Sequence, residues 1–325
     1  MESKISLFLS WLSNSRVGYH KHDNWPDHPV GVLNKPGNHE SYFKKHPELF
    51  SQTVDVSSKK PASSVLVSLP TTPKFDSTEK IKSYKASLKE GEEERIKEDV
   101  DRIFGKSLST RDIQNIFSSP LKKYSSVITS SDIKTGLRNE IVFKVGFQDS
   151  KGAPSLFIKY TFSHRPDGLV TVHRSAMLGS SNAMKEDRLH IHVQKHTENQ
   201  LKDIGIREIT MDTSKATGYL AALYGYDFAR PIDHSRILRI FAHRINNTSS
   251  LNKGTKERLR MELKGLSHSW ELAAWNPFNE PYGKHFGKEA MMGSSWRGSK
   301  DLSDASEGYK RGLAYYETLL ESKGA

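Results

Sequence analysis

The sequence predicts an α+β fold built on a mixed sheet. Three observations carry this reading. Apolar and polar residues alternate between Asn139 and Leu178, a short strand pattern lies between two amphipathic helices from Leu189 to Tyr224, and the C-terminal third is helical and aromatic.

Asn139 to Phe147 and Ser155 to Phe162 read as strands, rich in β-branched and aromatic residues. Asp149, Ser150, Lys151 and Gly152 between them supply the chemistry of a hairpin turn. Arg165-Pro166-Asp167-Gly168 is a second turn, with proline at its second position. Leu169 to Leu178 is the third strand. Leu189, Val193, His196, Gln200 and Leu201 share one face of a helix that Gly205 ends. Arg207 to Met211 alternates as a half-buried strand does. Asp212, Thr213 and Ser214 are capping residues for a helix from Lys215 to Tyr224, and Gly225 stops it.

The flanks divide the chain further: a loop-rich, partly flexible region over residues 1–78, a helical linker region over 79–135, a core over 136–232, and a helical extension packed on it over 233–325. His20, His22 and His28 are residue types that ligate metal, but Pro26, Pro29, Pro36 and Pro47 favour a plain loop there. Ser57 to Thr78 reads as a linker carrying one strand, Ser64 to Ser68. Lys80 to Phe104 is a charged, solvated helix, and Thr110 to Phe117 a short one capped by Ser109 or Thr110. In the extension, Ser235 to Ile245, Lys256 to Trp275 and Tyr309 to Leu320 have helical patterns. Between them, Gly283, Gly287, Gly293 and Gly298 with Lys284, Lys288 and Arg297 have the makings of an anion-cradling loop. The plainer alternative is a tight structural loop with Trp296 in the core.

Composition narrows function only in part. The 325 residues include 49 Lys and Arg against 38 Asp and Glu, a net charge of +11, which suits anionic partners such as nucleic acid or nucleotide phosphates. The absence of cysteine excludes disulfides, cysteine-ligated zinc and a cysteine nucleophile. No apolar run reaches membrane-spanning length, so no integral membrane association is expected. Ile5 to Leu12 is apolar and has the makings of a marginal signal h-region, but with one lysine before it a short amphipathic helix or a secretion-competent tail is the favoured reading. A cytoplasmic protein, or one secreted as an effector, is expected.

The order strand, helix, strand, helix and Gly225-Tyr226 turn resembles the GNAT (N-acetyltransferase) superfamily over about residues 138–228. In that family a central strand leads to a phosphate-binding loop, and the next helix begins over the pyrophosphate of acetyl-CoA. The resemblance implies a cofactor of acetyl-CoA or another CoA thioester. It places the backbone of Met177, Leu178 and Gly179 against the thioester carbonyl, and Lys185, Arg188, His190 and His192 beside the phosphates. It also implies Tyr219 or Tyr224 as the acid and His173 as the base. Two positions depart from the family pattern. The stretch from Asn182 to His192 has no glycine, and Ala221 stands where the family carries a tyrosine acid.

Two function classes follow. One is an acyltransferase acting on an acceptor the sequence does not identify, protein or nucleic acid, with a secreted bacterial effector or toxin as a fitting setting. The other is a catalytically inactive GNAT-like module that binds nucleic acid or protein, as in a phage or virion component.

Overall fold

The structure is a computed structural model that describes residues 86–134, 139–165, 167–214, 217–278 and 286–321. The fold is α+β, with a mixed sheet, as the sequence predicts. Eight strands among the described residues form one sheet: β1 (Ser87–Leu88), β2 (Tyr124–Lys134), β3 (Asn139–Asp149), β4 (Pro154–His164), β5 (Val170–Gly179), β6 (Glu208–Asp212), β7 (Asp227–Phe228) and β8 (Arg297–Asp301). Their spatial order is β1-β2-β3-β4-β5-β6-β8-β7. The meander β2 to β5 is antiparallel, β1 joins β2 in parallel, β5 and β6 are parallel, and β8 lies antiparallel between β6 and β7.

Alternation explains the core. Ile141, Phe143, Val145 and Phe147 of β3 are fully buried, as are Ile158 and Phe162 of β4, with Tyr160 at 1 % exposure. Helix α1 (Glu93–Phe104) turns Ile96, Val100, Ile103 and Phe104 inward at helical spacing, and Glu93 and Glu94 sit at the favourable N-terminal end. Helix α2 (Thr110–Ile116) starts at a capping box between Ser109 and Asp112. Phe117, just past it, packs on Tyr160 at 5.0 Å between ring centroids, and Phe143 meets Phe162 edge-on at 5.5 Å.

After β5 come α3 (Ser181–Lys185) and α4 (Leu189–Asp203), then β6, α5 (Gly218–Leu223) and β7. Among the described residues four helices separate β7 from β8: α6 (Pro231–Asn247), α7 (Lys253–Lys264), α8 (Ser269–Ala274) and α9 (Phe286–Met291). Helix α10 (Glu307–Glu321) closes the described chain and packs on α4, α5 and β8.

Several details differ from the sequence reading. The stretch taken as linker contributes β2 to the sheet. Its serines hid it: Ser126 is buried because its hydroxyl donates to the Phe117 carbonyl at 2.7 Å, so no apolar residue marks that position. The Lys256 to Trp275 pattern is two helices, broken at Gly265, with His268 capping the second. Over residues 286–298, the described part of the expected anion-cradling loop, no such loop is formed. Phe286 to Met291 is helix α9, and Arg297 opens β8. Gly287 packs where a Cβ would strike the carbonyl oxygens of Leu272, Ala273 and Trp275, which repel an anion rather than bind one. Trp296 is 2 % exposed and fills the core, as the plainer alternative held. Gly283 and Lys284, the histidines at 20, 22 and 28, the apolar run Ile5 to Leu12 and the linker strand near Ser64 lie outside the described residues.

Candidate functional site at the opening of the sheet

The parallel pairing of β5 with β6 is short. It covers Val172 with Ile209, His173 with Thr210 and Arg174 with Met211, and then stops. Strand β5 continues to Gly179, whereas β6 ends at Asp212. On its other side β5 shifts register against β4 where Lys159 pairs with Ala176 and Tyr160 with Arg174, so Ser175 is an extra, bulged residue. A bulge bends and twists a strand, and this one sits where β5 leaves β6. The Ser180 N–H donates to the Ser155 carbonyl of the β4 side at 2.8 Å. By alternation Leu178 also turns its N–H toward β4, and the N–H groups of Met177 and Gly179 face the opening, where β6 offers no partner.

His173 marks the start of the opening. Its Nδ1 lies 2.9 Å from the Thr210 hydroxyl, and its Nε2 lies 3.3 Å from the Asp212 carboxylate. The Thr210 hydroxyl also donates to the Val172 carbonyl at 3.3 Å. As an imidazolium, His173 donates to both Thr210 and Asp212, and the Thr210 hydroxyl donates to the Val172 carbonyl. As a neutral ring, His173 keeps one proton on Nε2 for Asp212 and accepts from Thr210. The geometry therefore serves both protonation states. Burial lowers the pKa of His173, with Asp212 pulling the other way and Arg297 and Arg174 adding to the fall. The ring is thus neutral near pH 7 and able to take up one proton.

The chain beyond Gly179 forms α3 and then reaches Arg188, whose φ of 49° is the one positive value on a non-glycine residue among those described. This left-handed residue begins α4, and the N–H groups of Ile191 and His192 bond back to its carbonyl at 2.9 and 3.2 Å. Such a conformation costs an arginine roughly 1–2 kcal/mol, and strain of this kind gathers at binding loops. The N–H groups of Leu189 and His190 precede the first of these bonds, and the helix dipole makes that end attractive to anions. Asp187, which would oppose an anion, is engaged by the Lys123 ammonium and the Tyr124 hydroxyl. Lys185 is exposed at the end of α3, just before this loop, and burial lowers the pKa of Arg188.

The other expected site residues fall in two groups. Met177, Leu178, Gly179, Lys185, Arg188 and His192 lie on the strand end, the loop and the first turn of α4. His190, Tyr219 and Tyr224 lie in the core. His190 is 4 % exposed, neither ring nitrogen has a hydrogen-bond partner among the described residues, and its pKa is lowered to about 3 by burial, with Arg174, Arg188 and His192 adding to the effect. Tyr219 is 2 % exposed on α5. Tyr224 packs on Tyr315 and Tyr316 of α10 at 5.5 and 5.3 Å, and burial raises its pKa. The aromatic rings it packs on come from α10.

The sequence reading missed a buried polar cluster behind the opening. Lys300 of β8 and Glu198 of α4 form an ion pair of 2.7 Å with both side chains fully buried. Glu198 also accepts from Tyr316 at 2.9 Å, Gln194 at 3.2 Å and Tyr226 at 3.3 Å. The Arg174 guanidinium lies 5.7 Å from the Tyr226 ring centre and reaches the Met211 sulfur at 3.0 Å. Burial pulls the Lys300 pKa down while Glu198 holds it up. The cluster fastens α4, β8 and α10 to the inner side of β5. Its trace in the sequence is Gln194 and Glu198, polar residues four apart on the apolar face of α4.

No protein-family model matches the chain, and no curated protein matches it.

Proposed function

We propose that the protein is a GNAT-like group transferase of the acyltransferase class, using acetyl-CoA or another CoA thioester. One observation carries the reading: β5 parts from β6 immediately after Arg174, turns the Met177 and Gly179 N–H groups into the gap, and leads through Arg188 to the N-terminus of a 15-residue helix. The element order β5, α4, β6, α5 and the Gly225 turn supports the same reading.

The residues present suit such a cofactor. Arg188, Lys185 and the first N–H groups of α4 would hold its phosphates, and the Met177 and Gly179 N–H groups would hold its carbonyl oxygen. The bound thioester supplies an activated acyl group. Donors fixed in place would stabilise the charge that develops on a carbonyl oxygen there. His173, paired with Asp212, would take the proton of the attacking amine through the Thr210 hydroxyl, which gives its own proton to Nδ1 as it gains the amine's. That proton would then be available to the leaving thiolate, a role the buried surroundings of Tyr219 and Tyr224 do not favour.

Amide hydrogen exchange read by NMR tests this placement. Adding coenzyme A slows exchange at Met177, Gly179 and Leu189 and leaves β2 and β3 unaffected. Unchanged exchange at these three amides would count against the reading.

A second reading has its own support. The absence of glycine from Asn182 to His192 and the burial of both tyrosines favour an inactive GNAT-like module that binds nucleic acid or protein.

A further inference from the structure

Charge gathers on the helices between β7 and β8. Residues 231–264, about a tenth of the chain, hold eight Lys and Arg against three Asp and Glu, so +5 of the net +11 lies here. Helices α6 and α7 run back along each other. His234, near the start of α6, lies 3.1 Å from the Leu266 carbonyl just past α7, and Lys256 of α7 donates to the Asn246 carbonyl at 2.7 Å. Their apolar residues are spent inward: Ile237, Phe241 and Ile245 of α6 are fully buried, as is Leu259 of α7, with Leu263 at 3 % exposure.

The outward face is a basic surface made of two rows. Arg239, His243 and Asn246 follow each other at helical spacing on α6, and Lys256, Arg260 and Lys264 do so on α7. Asn246 joins the rows, because Arg260 donates to its side-chain oxygen from Nε at 3.0 Å. Among the described residues Arg239, Lys253, Lys256, Arg260 and Lys264 have no ion-pair partner, unlike Arg236 with Asp233 and Arg258 with Glu262. Ile232 and Met261, each 67 % exposed, stand singly at the margins. A surface of this kind lacks the continuous apolar face that seats a helix in a bilayer interface. It has the Lys, Arg and Asn side chains that contact phosphate and sugar in nucleic acids.

We propose that the outer face of α6 and α7 binds nucleic acid through its phosphate backbone, without sequence preference, by way of Arg239, Lys256, Arg260 and Lys264. The proposal does not rest on the acyltransferase reading, since these residues lie apart from β5, α3 and α4.

The test is fluorescence anisotropy with a labelled DNA duplex of about 20 base pairs and a single-stranded RNA, over about 50 to 200 mM salt. The wild-type chain binds both, and its affinity falls steeply with salt. Replacing Arg239, Lys256, Arg260 and Lys264 by serine lowers affinity at least tenfold and reduces the log–log salt slope on duplex DNA by about 3 to 4, roughly 0.9 for each phosphate no longer neutralised. Arg239, Arg260 and Lys264 are exposed and Lys256 is half-buried, and an unchanged circular dichroism spectrum certifies the fold. The control replaces Lys97, Lys106, Arg111 and Lys151, which are exposed on other elements, by serine, and it binds as wild type does. Absence of wild-type binding at low salt, an equal loss in the control, or binding to phosphatidylserine vesicles but not to nucleic acid would each overturn the proposal.

Discussion

The Nε2 of His173 lies 3.3 Å from the Asp212 carboxylate, across the last step at which β5 and β6 remain side by side. Asp212 raises the pKa of His173 against the lowering effect of burial. Replacing Asp212 by asparagine therefore lowers the His173 pKa further below its ordinary value. An NMR titration of the imidazole reads this directly, and a rise in the variant would contradict the assigned pair. In an active enzyme the acid limb of the rate profile moves to lower pH with it, because the base stays unprotonated further into acid. The maximal rate falls by about 10²-fold, the scale of general-base assistance.

Arg188 occupies a left-handed backbone position that suits glycine. Arg188→Gly removes that strain and raises stability by up to about 1 kcal/mol, read as a higher urea midpoint. The same change removes a cation from the loop and weakens coenzyme A binding about tenfold. A variant that is both less stable and unchanged in binding would contradict the role given to this residue.

Lys300 and Glu198 fasten β8 to α4 inside the core. Lys300→Met leaves the Glu198 carboxylate buried without its counter-charge and costs about 3–5 kcal/mol. Adding Glu198→Leu removes the stranded charge and restores part of that loss. It does not restore all of it, because the Tyr226 and Tyr316 hydroxyls lose their acceptor. A double-mutant cycle by urea denaturation checks this, and strictly additive losses would count against the pair.

His190 is held neutral in the fold, with a pKa of about 3, whereas an unfolded histidine titrates near 6.5. The unfolded state therefore binds the proton first. Stability from this residue is complete above about pH 6.5 and falls by about 1.4 kcal/mol per pH unit as the pH drops toward 3. His173 and His196, whose pKa values are also lowered by burial, act in the same direction. Stability curves of His190→Gln between pH 7 and 4, parallel to wild type, would refute this contribution.

Gly225 and Gly205 both have left-handed φ values, 80° and 86°, in different surroundings. A Cβ at Gly225 would overlap the Gly308 carbonyl of α10, whereas Gly205 has open space around it. Gly205→Ala costs about 1 kcal/mol from backbone strain, and Gly225→Ala costs at least about twice that. Equal thermal shifts in the two variants would contradict the close approach of α10 to this turn.

The hairpin of β3 and β4, the strands β5 and β6 and the helix α4 were legible because apolar periodicity marks them directly. Strand β8 was not: Arg297 to Asp301 has no apolar side chain, and Lys300 enters the core only because Glu198, remote in sequence, awaits it. Strand β2 was masked by its serines, of which Ser126 is buried against the Phe117 carbonyl. For the site, the strand end at Met177 to Gly179 and the loop to Arg188 were visible as a segment. The pairing of His173 with Asp212 was not, because it depends on the register between β5 and β6. Nor could the sequence tell that His190 and Tyr224 point inward, since polar rings on amphipathic helices serve cores and surfaces alike.

The central claim is that the opening between β5 and β6 holds a CoA thioester. Calorimetric titration of the full chain with acetyl-CoA, with coenzyme A and ATP for comparison, tests it most directly. The account predicts one-to-one binding of acetyl-CoA and coenzyme A that is lost when Lys185 and Arg188 are replaced by serine. Absence of heat from both CoA ligands, in a protein whose circular dichroism shows it folded, would contradict it.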